Sequence, residues 1–245
     1  MQAQVQVYPE RYLEVQLLFA RKVAEVARLS LAEAVLHNTA IYKILGIEGQ
    51  FDAAQPAWQS YIQGLQGTRQ DTAWAYQTYL TRYPNIPKFT DFPHWGCFAY
   101  DYYPERLAIR LHFSNQDTSS CGALSHERRS VRVAEMRAMF QYIRDAHPQA
   151  RWVSGGSWLY NWDAYRRLFP PTFGQSARVD SPHLQFRALW GQFLRHTWQV
   201  NEEMAADFLQ RVQRLRALEG IADCFPYQVL VTQGELQDFF AFYQV

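Results

Sequence analysis

The sequence predicts an α/β fold of the α+β kind, with a mixed, largely antiparallel central sheet flanked by helices and a helical N-terminal third. Three observations lead to this class. Apolar residues recur at helical spacing through the first third of the chain. After Pro84 the pattern changes to short runs rich in aromatic and β-branched residues, which favour strands. A segment with a strong helical pattern then lies between two such runs. This order is typical of a helix that connects two strands of one sheet.

Four helices are predicted in the first third of the chain, each with its apolar residues on one face. Ser30 and Glu33 form a capping box at the start of the second helix, and Gly46 supplies a stop after it. Pro84 ends the last of the four. The predicted helices cover residues 12–29, 31–45, 58–67 and 71–83.

The following segment predicts an antiparallel hairpin. Runs of aromatic and β-branched residues at 94–100 and 107–113 would be its strands, and the turn-like segment between them would connect them. A long helix is predicted from about His126 to Ala146, with Ser125 as its N-cap. Residues 184–194 and 236–243 fit either helix or strand. The other predicted elements are strands at 151–154, 175–179 and 227–232, a short helix at 165–168, and a helix at 201–218 capped by Asn201.

Neither an internal repeat nor a clear linker divides the chain, so one compact unit is expected. The proline-containing segment at 84–93 is the predicted border between two parts of that unit. Residues 1–84 would form a helical layer that packs on the sheet, and residues 85–245 would form the α/β region.

The bulk composition favours a cytoplasmic protein. The chain has 245 residues, a formal net charge of +1 and three cysteines. Three cysteines are an odd, sparse set, typical of reduced thiols. The first residues lack the basic and apolar regions of a signal peptide, and no apolar run is long enough to span a bilayer. A balanced charge gives no sign of a nucleic-acid or membrane partner.

The start of the long helix is a candidate anion site. Unpaired backbone N–H groups at a helix N-terminus attract anions, and Ser125, Arg128 and Arg129 stand at this end. Arg128, Arg132 and Glu135 share one face of the helix, which predicts contact with a phosphate-bearing ligand. The alternative is a solvated face with ordinary ion pairs.

The order strand, polar loop, helix, strand, short helix over residues 111–169 resembles the central part of the GNAT-like acyltransferase superfamily. The segment Ser157-Trp158-Leu159 is similar to a Ser-Trp-Leu segment of divergent members, and Asn161 with Ala164 is similar to the family's Asn-x-x-Ala spacing. The resemblance covers roughly residues 94–180. The chain departs from the family in its loop at 115–122, which lacks the family's glycine-rich sequence.

The resemblance implies transfer of an acyl group from a coenzyme A or carrier-protein thioester to a small-molecule or protein acceptor. Coenzyme A would then be a co-substrate, and no tightly bound cofactor is expected. The chemistry requires a base for the acceptor's proton and a donor to the oxyanion or thiolate. Glu135, His112 and His126 are the candidate bases, and Ser157 and Tyr165 are the candidate donors. Leu168 stands where the family often has a tyrosine that acts as general acid.

Aromatic residues make up 16% of the chain, which allows a ligand pocket as well as a bulky core. Tyr102, Trp158, Tyr160 and Asn161 are the candidate substrate-binding residues. Core packing and contact with a partner chain are the alternatives, and a homodimer remains open because tyrosine and tryptophan also mark interfaces.

Two other function classes stay open beside acyl transfer. One is a non-catalytic module that binds a small molecule or a protein. The other is an enzyme of unrelated chemistry that uses Ser157 or a cysteine. A metal site is not predicted, because His94 and Cys97 form one ligand pair and no second pair accompanies it.

Overall fold

A computed structural model describes residues 7–47, 50–181 and 184–245. By its internal contacts the chain divides into two units, a helical unit and a sheet unit. The helical unit combines Met1–Pro87 with Pro182–Gln228, and the sheet unit combines Lys88–Ser181 with Val229–Val245. Residues 184–228, which were expected in the α/β region, therefore pack with the N-terminal helices.

Five helices precede the first strand, and helices and strands are mixed in the rest of the described chain. The helices are α1 (Glu10–Ala27), α2 (Leu31–Asn38), α3 (Ile41–Ile44), α4 (Pro56–Gly67), α5 (Asp71–Arg82), α6 (Arg129–Ala146), α7 (Asp163–Arg166), α8 (Pro171–Gln175), α9 (Arg187–Trp190), α10 (Glu202–Arg214) and α11 (Leu236–Tyr243). The strands are β1 (Phe98–Tyr103), β2 (Ala108–Phe113), β3 (Trp152–Ser157), β4 (Arg178–Val179) and β5 (Leu230–Glu235). No helix among the described residues is both long enough and apolar enough to cross a membrane.

The capping box predicted for α2 is confirmed. The backbone N–H of Glu33 donates to Ser30 Oγ at 3.2 Å, and the N–H of Ser30 donates to the Glu33 carboxylate at 2.9 Å. The single helix expected at 31–45 is wrong, because Thr39 adopts an extended conformation and separates α2 from α3. Gly46 follows α3 with a φ of 64°, the left-handed conformation expected of a helix stop.

An aromatic cluster explains why residues 184–228 pack with the N-terminal helices. The rings of Phe19 on α1, Trp190 at the end of α9 and Phe208 on α10 lie within 5.7 Å of one another, centroid to centroid. Phe225 packs against all three. Because buried aromatic side chains contribute strongly to core packing, this cluster ties the two segments of the helical unit together.

The sheet is mixed and largely antiparallel, as predicted. Its strand order is β1-β2-β3-β5-β4, and three of the four pairings are antiparallel. Only β2 and β3 are parallel, and α6 lies between them in the chain. The hairpin of β1 and β2 is confirmed, with Phe98 opposite Phe113 and Tyr103 opposite Ala108. Its first strand is Phe98–Tyr103 and not 94–100, so the turn is shortened to Pro104–Arg106.

Several predicted boundaries near the sheet are wrong. The strand expected at 175–179 is reduced to Arg178–Val179, because Pro171 starts helix α8 and carries the chain to Gln175. The strand expected at 227–232 is displaced to Leu230–Glu235. The ambiguous segment at 236–243 is helix α11, and α10 ends at Arg214 because Leu215 is extended.

One hydrophobic cluster fills the core of the sheet unit. Ile109 and Leu111 of β2 and Val153 of β3 point into it, together with Phe140 of α6 and Phe239 of α11. The helices α6, α8 and α11 therefore share one face of the sheet, and β2 residues at the alternate positions point to the other face. This second side is called the open face below.

Candidate functional site

Strands β2 and β3 separate at their carboxyl ends. They pair only from Ala108 opposite Trp152 to Arg110 opposite Ser154. Beyond that point β2 stays paired with β1 as far as Phe113, and β3 stays paired with β5 as far as Ser157. The facing edges of residues 111–113 and 155–157 are not paired with each other, and we call this gap the β2–β3 opening. Crevices at the carboxyl ends of neighbouring strands are common ligand sites in α/β proteins.

Two buried tyrosines lie on the core side of this opening. The Tyr165 ring contacts the rings of Phe113 on β2 and Tyr160, with centroids 5.5 and 5.0 Å apart. The Tyr160 hydroxyl lies against Gly155 of β3, where a Cβ atom would collide with it. Burial raises the pKa of Tyr160 to about 12 and raises the pKa of Tyr165 well above its usual value. Both side chains therefore remain protonated hydrogen-bond donors.

A histidine–carboxylate pair lies on the open face beside the same opening. His112 belongs to the separated part of β2, and its Nε2 lies 2.8 Å from Asp101 Oδ2 on β1. The imidazole side chain is 40% exposed. A carboxylate at Nε2 keeps the proton on that nitrogen, which leaves Nδ1 as the acceptor. The pair can therefore take a proton from a group that approaches the open face.

A buried ion cluster holds the loop that follows β2. Asp117 in this loop accepts a hydrogen bond from Arg128 Nε at 2.6 Å, and its Oδ2 lies 3.2 Å from Arg132 Nη2. Arg132 also donates to Glu135 Oε1 at 2.7 Å and contacts the sulfur of Cys97. The side chains of Asp117 and Arg132 are each 3% exposed. We call these five residues the Asp117 cluster.

The pKa values in this cluster follow from burial and from the hydrogen bonds. Burial alone would raise the pKa of Asp117, but hydrogen bonds from Ser119 and Arg128 and the charge of Arg132 outweigh it and lower the pKa to about 2. Burial raises the pKa of Glu135 and raises the pKa of the Cys97 thiol to about 11. Asp117 is therefore the firmly ionised partner of the two arginines.

This arrangement changes the interpretation of the helix start. Helix α6 begins at Arg129, and the predicted N-cap Ser125 is wrong because a turn from Gly122 to Arg128 precedes the helix. Arg128 and Arg132, expected to face a phosphate, bind the chain's own Asp117 instead. Arg129 is exposed at the first position of the helix. Among the predicted anion ligands it is the one whose guanidinium faces solvent.

Glu135 is engaged on both carboxylate oxygens. Arg132 donates to Oε1, and the backbone N–H of Cys97 donates to Oε2 at 3.1 Å. Gly96, with a φ of 58°, presses against this carboxylate so closely that a Cβ atom would collide with it. Glu135 thus fixes the turn before β1 and is not available as a base. Of the other two candidate bases, His126 is exposed in the turn before α6, and His112 is the one that lies beside the opening.

The remaining predicted residues divide between the opening and other places. Ser157 ends β3 at the opening, where its Oγ accepts from the N–H of Leu159 at 3.1 Å. Asn161 donates to the carbonyl of Trp158 at 2.6 Å, which closes the short turn after β3. Tyr102 lies opposite Ile109, toward the other end of β2, where it stacks on an imidazole. The structure therefore does not bring Tyr102 to the opening.

Sequence reasoning missed three residues that the site depends on. Asp101 fell in the predicted turn of the hairpin, whereas β1 runs on to Tyr103 and puts Asp101 on the same face as His112. Asp117 lies in a polar loop and gave no signal of burial. Gly155 carries no local signal of its role, because its close contact with the Tyr160 hydroxyl arises only from packing.

The chain matches no protein-family model, no curated protein sequence and no solved structure. Among the described residues, no group of three or more histidine, cysteine or acidic side chains is placed to hold a metal ion.

Proposed function

We propose that the sheet unit is a GNAT-like acyltransferase, which moves an acyl group from a thioester such as that of coenzyme A to an amine or hydroxyl acceptor. The separation of β2 and β3 is the observation that carries this proposal. The edge of residues 155–157 offers backbone groups that can pair with an extended, amide-containing ligand, as strand edges do. The pantetheine arm of coenzyme A is such a ligand.

The groups on either side of the opening fit the chemistry of acyl transfer. The acceptor nitrogen or oxygen attacks the thioester carbonyl carbon, forming a bond to carbon and giving its proton to His112 Nδ1. Asp101 keeps the imidazole oriented and stabilises its positive charge. The carbon–sulfur bond then breaks, and the thiolate leaves as a thiol with a proton returned from the site. Tyr165, on the core side, is the candidate donor to the oxyanion or the thiolate.

The phosphate end of the donor would lie toward the start of α6. Helix α6 follows the loop after β2, and it has no side-chain N-cap hydrogen bond. Backbone N–H groups at such a helix start favour anions, and Arg129 adds an exposed positive charge there. The Asp117 cluster holds this loop in place, because its ion pairs join the loop to the first two turns of α6.

Ligand binding at the opening is tested with Gly156→Val. A Cβ atom at Gly156 meets only Val231 Cγ1 at 3.7 Å, an ordinary contact, and a valine pair across two strands favours the sheet. We expect wild-type protein to gain about 5–10 °C in Tm at saturating acetyl coenzyme A. Gly156→Val should fold but lose this gain, because its side chain narrows the opening.

Gly67→Val is the matched control, since no atom lies within 4 Å of the added Cβ. It should keep the full thermal shift. If wild-type protein shows no shift with any coenzyme A thioester, the proposal is contradicted for soluble coenzyme A donors.

The catalytic step is tested by release of free thiol from acetyl coenzyme A in the presence of amine acceptors. We expect His112→Gln to lower the rate about a hundredfold or more, because general-base catalysis contributes that much. The same variant should still bind the thioester. Equal turnover by wild type and His112→Gln would remove His112 from the mechanism.

A non-catalytic binding module is the second candidate. The engagement of Glu135 by Arg132 and Cys97 favours it, because this predicted base is not available for proton transfer. Two results together would support the binding module instead. Wild-type protein would bind the thioester and lose that binding in Gly156→Val, and it would transfer no acyl group to any acceptor.

A further inference from the structure

The open face around His112 can be described from the strand register. On β1 and β2, Ala99 lies opposite His112, Asp101 opposite Arg110, and Tyr103 opposite Ala108. On the other side of β2, Arg110 lies beside Ser154 of β3, and Ala108 lies beside Trp152. His112, Arg110 and Ala108 therefore form one row along β2, with His112 at the end nearest the opening.

Arg110 is an exposed cation without a carboxylate partner among the described residues. The acid directly across the strand, Asp101, is bonded to His112 instead. A guanidinium binds a carboxylate through two parallel hydrogen bonds. Arg110 is thus placed to hold an anionic group of a molecule that lies on the open face.

The spacing of Arg110 and His112 sets the distance between two groups of that molecule. Residues two apart on a strand are separated by about 6.7 Å on the same face. One hydrogen bond of about 3 Å to His112 and another to Arg110 then fit an amine and a carboxylate that are carried by one carbon atom. The absence of a side chain at Gly156, where an added Cβ atom would meet only Val231 Cγ1 at 3.7 Å, leaves space beside His112 for the amine.

Two aromatic side chains flank the row beyond Arg110. Trp152 is 39% exposed and lies beside Ala108, at the end of β2 farthest from the opening. Tyr103 and Trp152 stand on either side of the small Ala108, on strands that are roughly 10 Å apart. By the same strand spacing Ala108 lies about 6.7 Å beyond Arg110, so these two rings are out of reach of the side chain of an amino acid held between Arg110 and His112.

We infer that the acyl acceptor is an α-amino acid, and that Arg110 binds its carboxylate while its amine faces His112. This inference rests on the proposed acyl transfer. The amine nitrogen forms the new bond to the thioester carbonyl carbon and passes one proton to His112. The products are an N-acyl amino acid and the free thiol.

The test compares tryptophan with tryptamine as acceptors, using acetyl coenzyme A and release of free thiol as the readout. We expect wild-type kcat/KM for tryptophan to exceed that for tryptamine at least tenfold. Arg110→Met should lower kcat/KM for tryptophan at least tenfold more than for tryptamine, mainly through KM. Arg178→Met is the matched control, since Arg178 is an exposed arginine of β4 opposite Val231, and it should keep the wild-type ratio.

The outcomes separate this inference from the proposed function. If wild type binds acetyl coenzyme A and uses tryptamine as well as tryptophan, the amino-acid inference is overturned and acyl transfer stands. If Arg110→Met and Arg178→Met keep the same acceptor ratio, Arg110 does not bind the carboxylate. If wild type shows no thermal shift with the thioester, the proposed function fails and this inference fails with it.

Discussion

Asp117 joins the loop after β2 to helix α6 through two arginines, one of them buried. We expect Asp117→Asn to lower the free energy of unfolding by about 3 kcal/mol, because it leaves the charge of Arg132 without its partner in the loop. Urea denaturation measures the loss. Asp163→Asn is the control: its carboxylate is 90% exposed and pairs with Arg166, so its removal should cost less than about 1 kcal/mol.

Wild type and Asp117→Asn can also be compared by the pH dependence of their stability. The pKa of Asp117 is lowered to about 2 from a usual value of 3.8. A lowered pKa in the folded state stabilises the protein above the unfolded pKa, and this contribution is lost as the pH falls toward the folded pKa. The stability difference between wild type and Asp117→Asn should therefore be full at pH 6 and shrink between about pH 4 and pH 2. A difference that stays constant over this range would contradict the assignment.

Gly155 and Tyr160 provide a packing test beneath the opening. A Cβ atom at Gly155 collides with the Tyr160 hydroxyl, so Gly155→Ala should cost about 1–3 kcal/mol of unfolding free energy. The cost should be smaller in a Tyr160→Phe background, where the oxygen is gone. A double-mutant cycle by denaturant unfolding measures this coupling. Equal costs in both backgrounds would show that the hydroxyl is not the obstacle.

At the scale of single elements, α2 depends on its capping box. Ser30→Ala removes the oxygen that accepts from the N–H of Glu33, and we expect α2 to lose about 1 kcal/mol of local stability. Hydrogen exchange of the α2 amides measures the effect. Ser130→Ala, at an exposed position in the first turn of α6, should leave exchange in α2 unchanged. Unchanged exchange after Ser30→Ala would mean that tertiary packing alone holds this helix start.

Helices and strands that are marked by nearby residues, such as a capping side chain, were predictable from the sequence. Those that depend on distant residues were not. Ser30 and Asn201 mark helix starts by their side-chain chemistry, and both cap helices in the structure. Ser125 has the same chemistry but does not cap α6, because the turn before Arg129 is tied to the loop through Asp117. Strand β4 is short for a similar reason: its extent depends on pairing with β5, about 50 residues away in the chain.

At the scale of the whole molecule, each unit is assembled from two separate chain segments. Strand β5 lies between β3 and β4, and Phe239 and Tyr243 of α11 fill the core of the sheet unit. We expect a chain that ends at Gln228 to lose protection from hydrogen exchange in β3. A chain that ends at Gln244 is the control and should retain it. Full protection of β3 without β5 would contradict this account of the sheet.

The residues that form the candidate site were predictable only in part. His112, Ser157 and Tyr165 were named as candidates from the sequence, and the structure places all three around the β2–β3 opening. Glu135 was also named, but its carboxylate accepts hydrogen bonds from Arg132 on the same helix and from the backbone N–H of Cys97 before β1. Whether a carboxylate is paired or free depends on such contacts, which residue type and spacing do not specify.

Local sequence patterns were enough to predict the class of the fold, the position of most helices and the β1–β2 hairpin, because apolar periodicity, caps and turns act between near neighbours. The tertiary structure decided that β5 lies between β3 and β4, that β2 and β3 separate after Arg110 and Ser154, and that Asp117 occupies the arginines of α6. These features join residues far apart in the chain. Their free energy comes from packing, strand register and burial of charge, which exist only after the chain has folded.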